Sequence, residues 1–438
     1  MRDIAVLILF IFLVFFALRR PFIGVCAWIW VAMAFPAGWA WGFSSSLRIN
    51  FTVAILTFVG YIFYKNKAKL RLDVISILIA LFWVIALIST ITTESLLQDF
   101  IWSKFFDVSK ILLLYIAVIL IIEKKLHIDT LIWVIVLSIS AYAGMEAVKF
   151  ILSGGGHRVA GHAGHVLGDR NDLVVAINMG LPLVIYLIGQ TKNKLLKQGL
   201  IGLFILNLVA IIGSYSRGGF IGLTILTLYF FLKSNRKFIW TMLFVIAVPI
   251  AVQFAPSEWT SRMNTIESAS LEDRSFIGRL WAWKISTKIA NDNFFGNGFY
   301  ASQDPLAWET YKHQIDNFGP IKTPPVEDRI KPKAAHSIYF QTLGDLGYLG
   351  LIVVLLILSR FFFRLRKIAK LAREQGIEWA EKLATLMSVS IVAYGITGAS
   401  VSLIYFDLLF VLFGISYVLL YRVVDSSSKV VMRPRFAK

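Results

Sequence analysis

The chain has 438 residues, 58% of them hydrophobic and only 16% charged, with a mean hydropathy of +0.72. That balance excludes a water-soluble domain of this size and points to a bilayer. The formal charge of +18 would suit nucleic acid, but the basic residues cluster in short connections between apolar runs, which is the positive-inside pattern. The one cysteine, Cys26, excludes an intramolecular disulfide and a cysteine-based metal framework.

In chain order, apolar runs that could span or nearly span about 30 Å of hydrocarbon fall at 4–18, 21–41, 49–64, 73–92, 106–122, 128–152, 172–189, 198–213, 219–232, 238–254, 337–358, 383–402 and 404–422. Segment 4–18 is followed by Arg19-Arg20-Pro21, not by small residues for cleavage, and reads as retained. It is either a full span with the N-terminus outside or an incomplete hairpin, so the expected fold is an all-α polytopic membrane protein of 12 or 13 helices. Basic stretches at Lys65 to Arg71, Lys124-Lys125, Lys192 to Lys197, Lys233 to Lys237 and Arg360 to Arg373 alternate without conflict as cytoplasmic loops, and the basic C-terminus falls inside.

This divides the chain into N-terminal membrane helices over 1–254, with an extracytoplasmic loop at 153–172, then a large extracytoplasmic loop at 255–336, C-terminal membrane helices over 337–422 and a cytoplasmic tail at 423–438. The large loop holds ten basic and ten acidic residues and is neutral. Within it, 275–290 reads as an amphipathic helix carrying Phe276, Ile277, Leu280, Trp281 and Trp283, suited to the membrane surface.

Three residues bring charge or imidazole to the membrane boundary on the side of that loop. Arg217, in Ser214-Tyr215-Ser216-Arg217-Gly218-Gly219, stands where a helix begins, so a guanidinium and unpaired N–H groups could face one anion such as phosphate. The competing reading is a snorkelling anchor, which inner-face arginines more commonly provide. Arg279 lies on the amphipathic helix, where it could fold back over a lipid-linked diphosphate or simply touch headgroups. His336 precedes a span in Ala335-His336-Ser337-Ile338-Tyr339; an imidazole can take a proton from a sugar hydroxyl at neutral pH, and a lone His at a helix start is also an ordinary cap. The glycine-rich stretch from Gly154 to His165 holds three histidines, but their spacing matches no ligand motif and no Lys-Ser or Lys-Thr follows, so a mobile loop is expected over a metal or nucleotide site.

Read together, Ser216-Arg217-Gly218-Gly219, Arg262 to Ile266, Asp273-Arg274-Ser275 leading to Gly278-Arg279, Trp283, Gly296-Asn297-Gly298-Phe299 and His336 to Gln341 run in one order. The chain resembles the O-antigen ligase family. It is most similar to the branch described as putative O-glycosylation ligases associated with exosortase systems, through Arg19-Arg20-Pro21-Phe22 and the segment 158–182. It departs from that branch at Gly161 to Gly164 and Arg170-Asn171, which stand where a Gly-Pro turn and an Asn pair are expected.

The resemblance implies an architecture like that of C-type membrane glycosyltransferases, in a bacterial inner membrane with the active site on the periplasmic face. It implies a glycan donor carried on undecaprenyl diphosphate, an acceptor hydroxyl on lipid A core or protein, and no nucleotide, metal or other cofactor. His336 would be the general base, Arg217 and Arg279 would stabilise the diphosphate, and Ser216, Arg274, Tyr339 and Asn171 would bind substrate. A polysaccharide polymerase using the same donor is the nearest alternative. A lipid-linked glycan flippase is the alternative of another class, against which stands the gathering of charge at span ends; Glu146 and Lys149 too lie toward the end of theirs.

Overall fold

The structure, a computed structural model, describes residues 2–39, 42–65, 67–233, 237 and 274–425. The span expected at 238–254, the first part of the large loop with Arg262 to Ile266 and Asp273, and the tail beyond Asp425 lie outside the described residues. The rest is helical, with no strand among the described residues. In chain order the helices are α1 (Arg2–Arg19), α2 (Pro21–Ala34), α3 (Ile49–Phe63), α4 (Val74–Thr92), α5 (Gln98–Ile121), α6 (Lys125–Leu152) and α7 (Arg170–Gln190). They continue with α8 (Lys194–Gly213), α9 (Arg217–Lys233), α10 (Arg274–Asp292), α11 (Pro305–Tyr311), α12 (Ile338–Glu374), α13 (Glu378–Thr397) and α14 (Asp407–Val418), the last prolonged by a π turn over Leu419–Val424.

Seven of these are long and apolar enough to cross a membrane, and α2 and α3 are shorter apolar helices. The chain is an all-α polytopic membrane protein. Of the spanning segments, α7 and that of α14 bury 78% of their length in protein while α8 buries 22%, so the first two are central and α8 faces outward. Helix α13 packs against α7, α9 and α12, and these four bring the candidate site together at one end of the bundle.

That end carries residues 153–169 and 274–337 and is called here the loop end; the other carries the basic connections and is called the basic end. Helix α1 runs between them. Its Asp3 accepts hydrogen bonds from Ser44 Oγ at 2.6 Å and from the N–H groups of Ser44 and Gly42, both at 3.1 Å, which fixes its start at the loop end. Eighteen residues at 1.5 Å each reach about 27 Å, so α1 extends along the bundle as a full-length helix.

Three boundaries differ from the sequence expectation. Helix α2 stops at Ala34 because Phe35 turns left-handed, at φ 48°, ahead of a short 3-10 turn. Helix α5 begins at Gln98, eight residues before the expected start at 106, with Asp99 and Lys104 on the turns that precede it. Helix α12 continues to Glu374 through the basic run and breaks once, at Gly347, with φ 67° and ψ −171°. A Cβ at Gly347 would lie 2.1 Å from the Phe294 carbonyl, so glycine is required there both for its backbone and for its bareness.

The amphipathic helix expected on the membrane surface has another role. As α10 it forms the spine of a small loop domain, in which Ile277, Trp281, Ile285 and Ile289 pack with Trp308, Tyr311 and Ile315. Lys284, buried among them, donates to the carbonyls of Ile315 at 2.6 Å and Asp316 at 3.1 Å and to Thr323 Oγ1 at 3.0 Å. Protein therefore covers Ile277, Leu280 and Trp281 among the apolar side chains that suggested lipid contact, while Phe276 stays exposed. The domain is tied to the bundle at the kink: Asn297 N–H donates to Gly344 O at 3.0 Å and Gly298 N–H to Ser89 Oγ at 2.9 Å. Asp345 accepts from Ala301 N–H at 3.1 Å and from the Tyr405 hydroxyl at 3.0 Å.

Candidate active site

The starts of α7, α9 and α12 meet at the loop end, so three sets of N-terminal N–H groups and their partial positive charge share one neighbourhood. Asp169 caps α7 by accepting from Asn171 N–H at 2.7 Å and Asn171 Nδ2 at 2.8 Å. Asn171 Oδ1 in turn accepts from Ser216 Oγ at 2.7 Å, and Ser216 Oγ accepts from Gly219 N–H at 3.2 Å, capping α9. Arg170 Nη1 donates to the carbonyls of Ser214 and Tyr215, both at 3.3 Å. The start of α9, with Arg217 as its first residue, is thereby fixed to the start of α7.

The other side of the site is joined through the turn after α13. A Cβ on Gly218 would lie 2.2 Å from Ser400 Oγ, so that turn rests directly on the first residues of α9. Two residues on, Ser402 Oγ accepts from the backbone N–H of His336 at 2.9 Å. Helix α10 holds the segment from above: Trp283 Nε1 donates to Ala335 O at 2.6 Å, and its ring stacks on Phe340 with centroids 4.8 Å apart and planes 7° from parallel.

His336 is half-buried and adopts φ 43°; Tyr215, just ahead of Ser216, adopts φ 52°. Left-handed backbone at a side chain larger than Asn costs about 1–3 kcal/mol and persists only where surrounding contacts impose it. Those contacts are present at both positions: the bonds to Ser402 and Ala335 around His336, and the Tyr215 hydroxyl bonded to Gly155 O at 2.7 Å. Burial holds the imidazole of His336 below its usual pKa, the Arg279 guanidinium nearby adds to that, and the Asp169 carboxylate opposes both. An imidazole in this setting is neutral at neutral pH. It can accept a proton, with a carboxylate at hand to stabilise the cation it becomes.

The structure thus brings the charges of Arg279 and Asp169 within electrostatic reach of His336 and links Arg217 to this neighbourhood through Ser216, Asn171 and Ser400. The Ser216 hydroxyl and the Asn171 amide serve the junction of α7 and α9. The Tyr339 hydroxyl donates to Gly395 O inside the bundle. Arg274 opens α10, and its side chain lies outside the description. Sequence reasoning did not single out Asp169, Ser400 or Ser402. An Asp just before an apolar run is an N-cap signal that could have found the first; the serines lie in an uncharged turn with no such mark. Among the histidines of the glycine-rich loop, His162 and His165 both pack on Phe35 and His157 stands apart. His157 binds Glu146 Oε2 at 2.7 Å, and His165 Nε2 meets Ala32 O at 2.8 Å.

A polytopic helical membrane protein with a basic, histidine-bearing junction of helix starts beneath a loop domain is the class that fold and site define. Residues 202–355, which contain Arg217, Arg279 and His336, match the family described as O-Antigen ligase. Residues 1–193, with Asp169 and Asn171, match a family of unknown function (DUF5935). Comparison with curated proteins finds no match.

Proposed function

We propose that the protein transfers a polysaccharide from undecaprenyl diphosphate to an acceptor hydroxyl, on lipid A core in the first instance, at the periplasmic face of a bacterial inner membrane. The match of residues 202–355 to the O-antigen ligase family supports, in general terms, a glycosyltransferase-like ligase with a lipid-linked polysaccharide donor. The donor's carrier, the acceptor, the sidedness and the residue roles are the proposal. His336 removes the proton from the acceptor hydroxyl as its oxygen attacks the anomeric carbon. The bond from that carbon to the diphosphate breaks on the opposite face, so configuration inverts. The negative charge left on the diphosphate is met by Arg217, Arg279 and the N–H groups opening α9 and α12. Diphosphate is a good leaving group, so clamping its charge with guanidinium forks matters more than protonating it, and no metal is required for that role.

The observation that carries this reading is the pairing around His336. Within electrostatic reach of it, the Arg279 cation favours the neutral base before transfer and the Asp169 carboxylate favours the imidazolium formed during transfer. Against transport stands the position of these groups at helix starts at the loop end, where a carrier would hold its ionisable residues near the midplane. The test is to incubate the purified full chain in detergent, with EDTA, with a lipid-diphosphate glycan and either lipid A core or a protein acceptor, and to weigh the products. A glycosylated lipid A core is the expected result. A glycosylated protein moves the acceptor, a lengthened donor makes the protein a polymerase, and absence of any transferred glycan overturns the proposal.

A further inference from the structure

Away from His336, on the flank formed by α2, α3 and α5, lies a groove of about 810 Å³. It contains none of the residues assigned to transfer. Arg48, Lys104, Asp107, Lys110 and Asp407 all line it, so five charged side chains from three parts of the chain converge there. The lower walls are apolar: Phe51, Ile55, Phe58 and Leu113, of which Phe51, Ile55 and Leu113 are exposed.

The placement of the charges calls for an explanation. Lys104, Asp107 and Lys110 recur every three residues along α5, on one face of a helix that continues as an unbroken apolar run to Ile121. Lys110 Nζ lies 2.9 Å from Asp107 Oδ1, and these two side chains are 50% and 55% exposed. Charges so exposed on the flank of a membrane bundle are costly against hydrocarbon, and they occur where they meet a polar partner or a ligand. Here their exposed faces open into the groove. The Lys110 and Asp107 pair neutralises itself, and Lys104 lies within the field of Asp407. The lining as a whole, three basic groups against two acidic ones, keeps a surplus of one positive charge.

We propose that this groove binds an anionic phospholipid, its phosphodiester among Arg48, Lys104 and Lys110 and a chain along Phe51, Ile55, Phe58 and Leu113. The charge of one phosphodiester balances the surplus, the walls below are suited to an alkyl chain, and the exposed apolar residues leave the side open for a lipid to enter from the bilayer. The inner wall is built from Gly164, His165 and Val166 and from Tyr405 and Asp407. These belong to the same two segments that carry Asp169 and Ser402 to the site at His336, so an occupied groove braces that site from behind. The inference does not depend on the transfer reading.

The test uses the full chain in nanodiscs of phosphatidylcholine containing, at equal mole fraction, a diazirine-tagged phosphatidylglycerol or a diazirine-tagged phosphatidylcholine. After irradiation the labelled peptides are mapped by mass spectrometry. Phosphatidylglycerol should label α3 and α5 about fivefold more than phosphatidylcholine, the ratio expected from about one effective basic charge. The double variant Arg48→Gln, Lys104→Gln should bring the two lipids level on α3 and α5 and leave labelling of α8 as it was. Ala54→Trp, which fills the groove without changing its charge, should lower labelling of α3 and α5 and serves if the double variant does not fold. Equal labelling by both lipids, or labelling unaffected by these variants, means annular lipid only and overturns the proposal. Displacement of the label by a polyprenyl diphosphate also overturns it, by giving the groove to the donor's tail. No glycan donor or turnover enters the primary readout, so failure here is distinct from failure of the transfer reading.

Discussion

At the basic end of the bundle, Arg364 donates to both oxygens of Asp73, at 2.6 Å to Oδ2, with both side chains buried. Tyr421 and Ser76 N–H fill the remaining positions on the carboxylate at 3.0 and 3.2 Å. At the loop end Arg279 stands within electrostatic reach of His336, a group it discourages from taking a proton, and His336 itself is held in left-handed backbone. Opposite charges that satisfy one another hold α4, α12 and α14 in place. A cation set against a titratable base, on strained backbone, stabilises little by itself and is poised to respond to a ligand's charge. The two ends teach where to look in a membrane protein of this kind: a fully paired buried ion pair marks the frame, and a titratable base under opposing fields marks where the proposed chemistry is to be tested.

Substitutions can break that comparison. Arg364→Ala should have the largest effect, about 3–5 kcal/mol of stability, since it leaves the Asp73 carboxylate buried and unpaired. Thermal unfolding in detergent measures it, and transfer per folded molecule should stay unchanged. Arg217→Ala should do the reverse, lowering transfer by about 10²–10³, as loss of one preorganised charge donor does, with the melting temperature retained; single-turnover assay with purified donor reads it. Gly218→Ala should cost about 1–3 kcal/mol by overpacking, because its Cβ meets Ser400 Oγ at 2.2 Å. If the close approach of α9 to the turn is what matters, adding Ser400→Gly in the same chain should restore most of the lost stability.

The smallest effect sharpens the comparison most. Burial and Arg279 lower the pKa of His336, so its basic form persists to lower pH than that of a free imidazole. Transfer should therefore hold on the acid side and fall only as pH drops through that lowered value. Arg279→Gln removes a cation and should move the acid limb to higher pH, whereas Asp169→Asn removes an anion and should move it lower. Limbs that stay in place in both variants would mean that another group titrates.

Much of this frame was legible in the sequence. Apolar runs and basic connections located α3, α4 and α6 to α9 to within a few residues, because membrane burial imprints itself on local composition. Asp99 and Lys104 on the first turns of α5 hid its start, and the basic run from Arg360 to Arg373 hid the continuation of α12 to Glu374. The surface placement expected for α10 failed for a plain reason: the pattern of Ile277, Trp281 and Ile285 says that a face is covered, not whether lipid or protein covers it. At the site, Arg217, Arg279 and His336 were visible as charged or titratable residues at helix boundaries. Asp169 and Ser402 were not, since each matters through a partner more than sixty residues away in the chain.

The central claim is that His336 takes the acceptor's proton, and the most direct measurement is transfer by His336→Ala against wild type. Both are purified as folded full-length protein and supplied with saturating lipid-linked donor and acceptor. The account predicts a fall of about 10²–10⁴ in turnover with an unchanged melting temperature. Turnover near the wild-type level in a folded His336→Ala protein would contradict it.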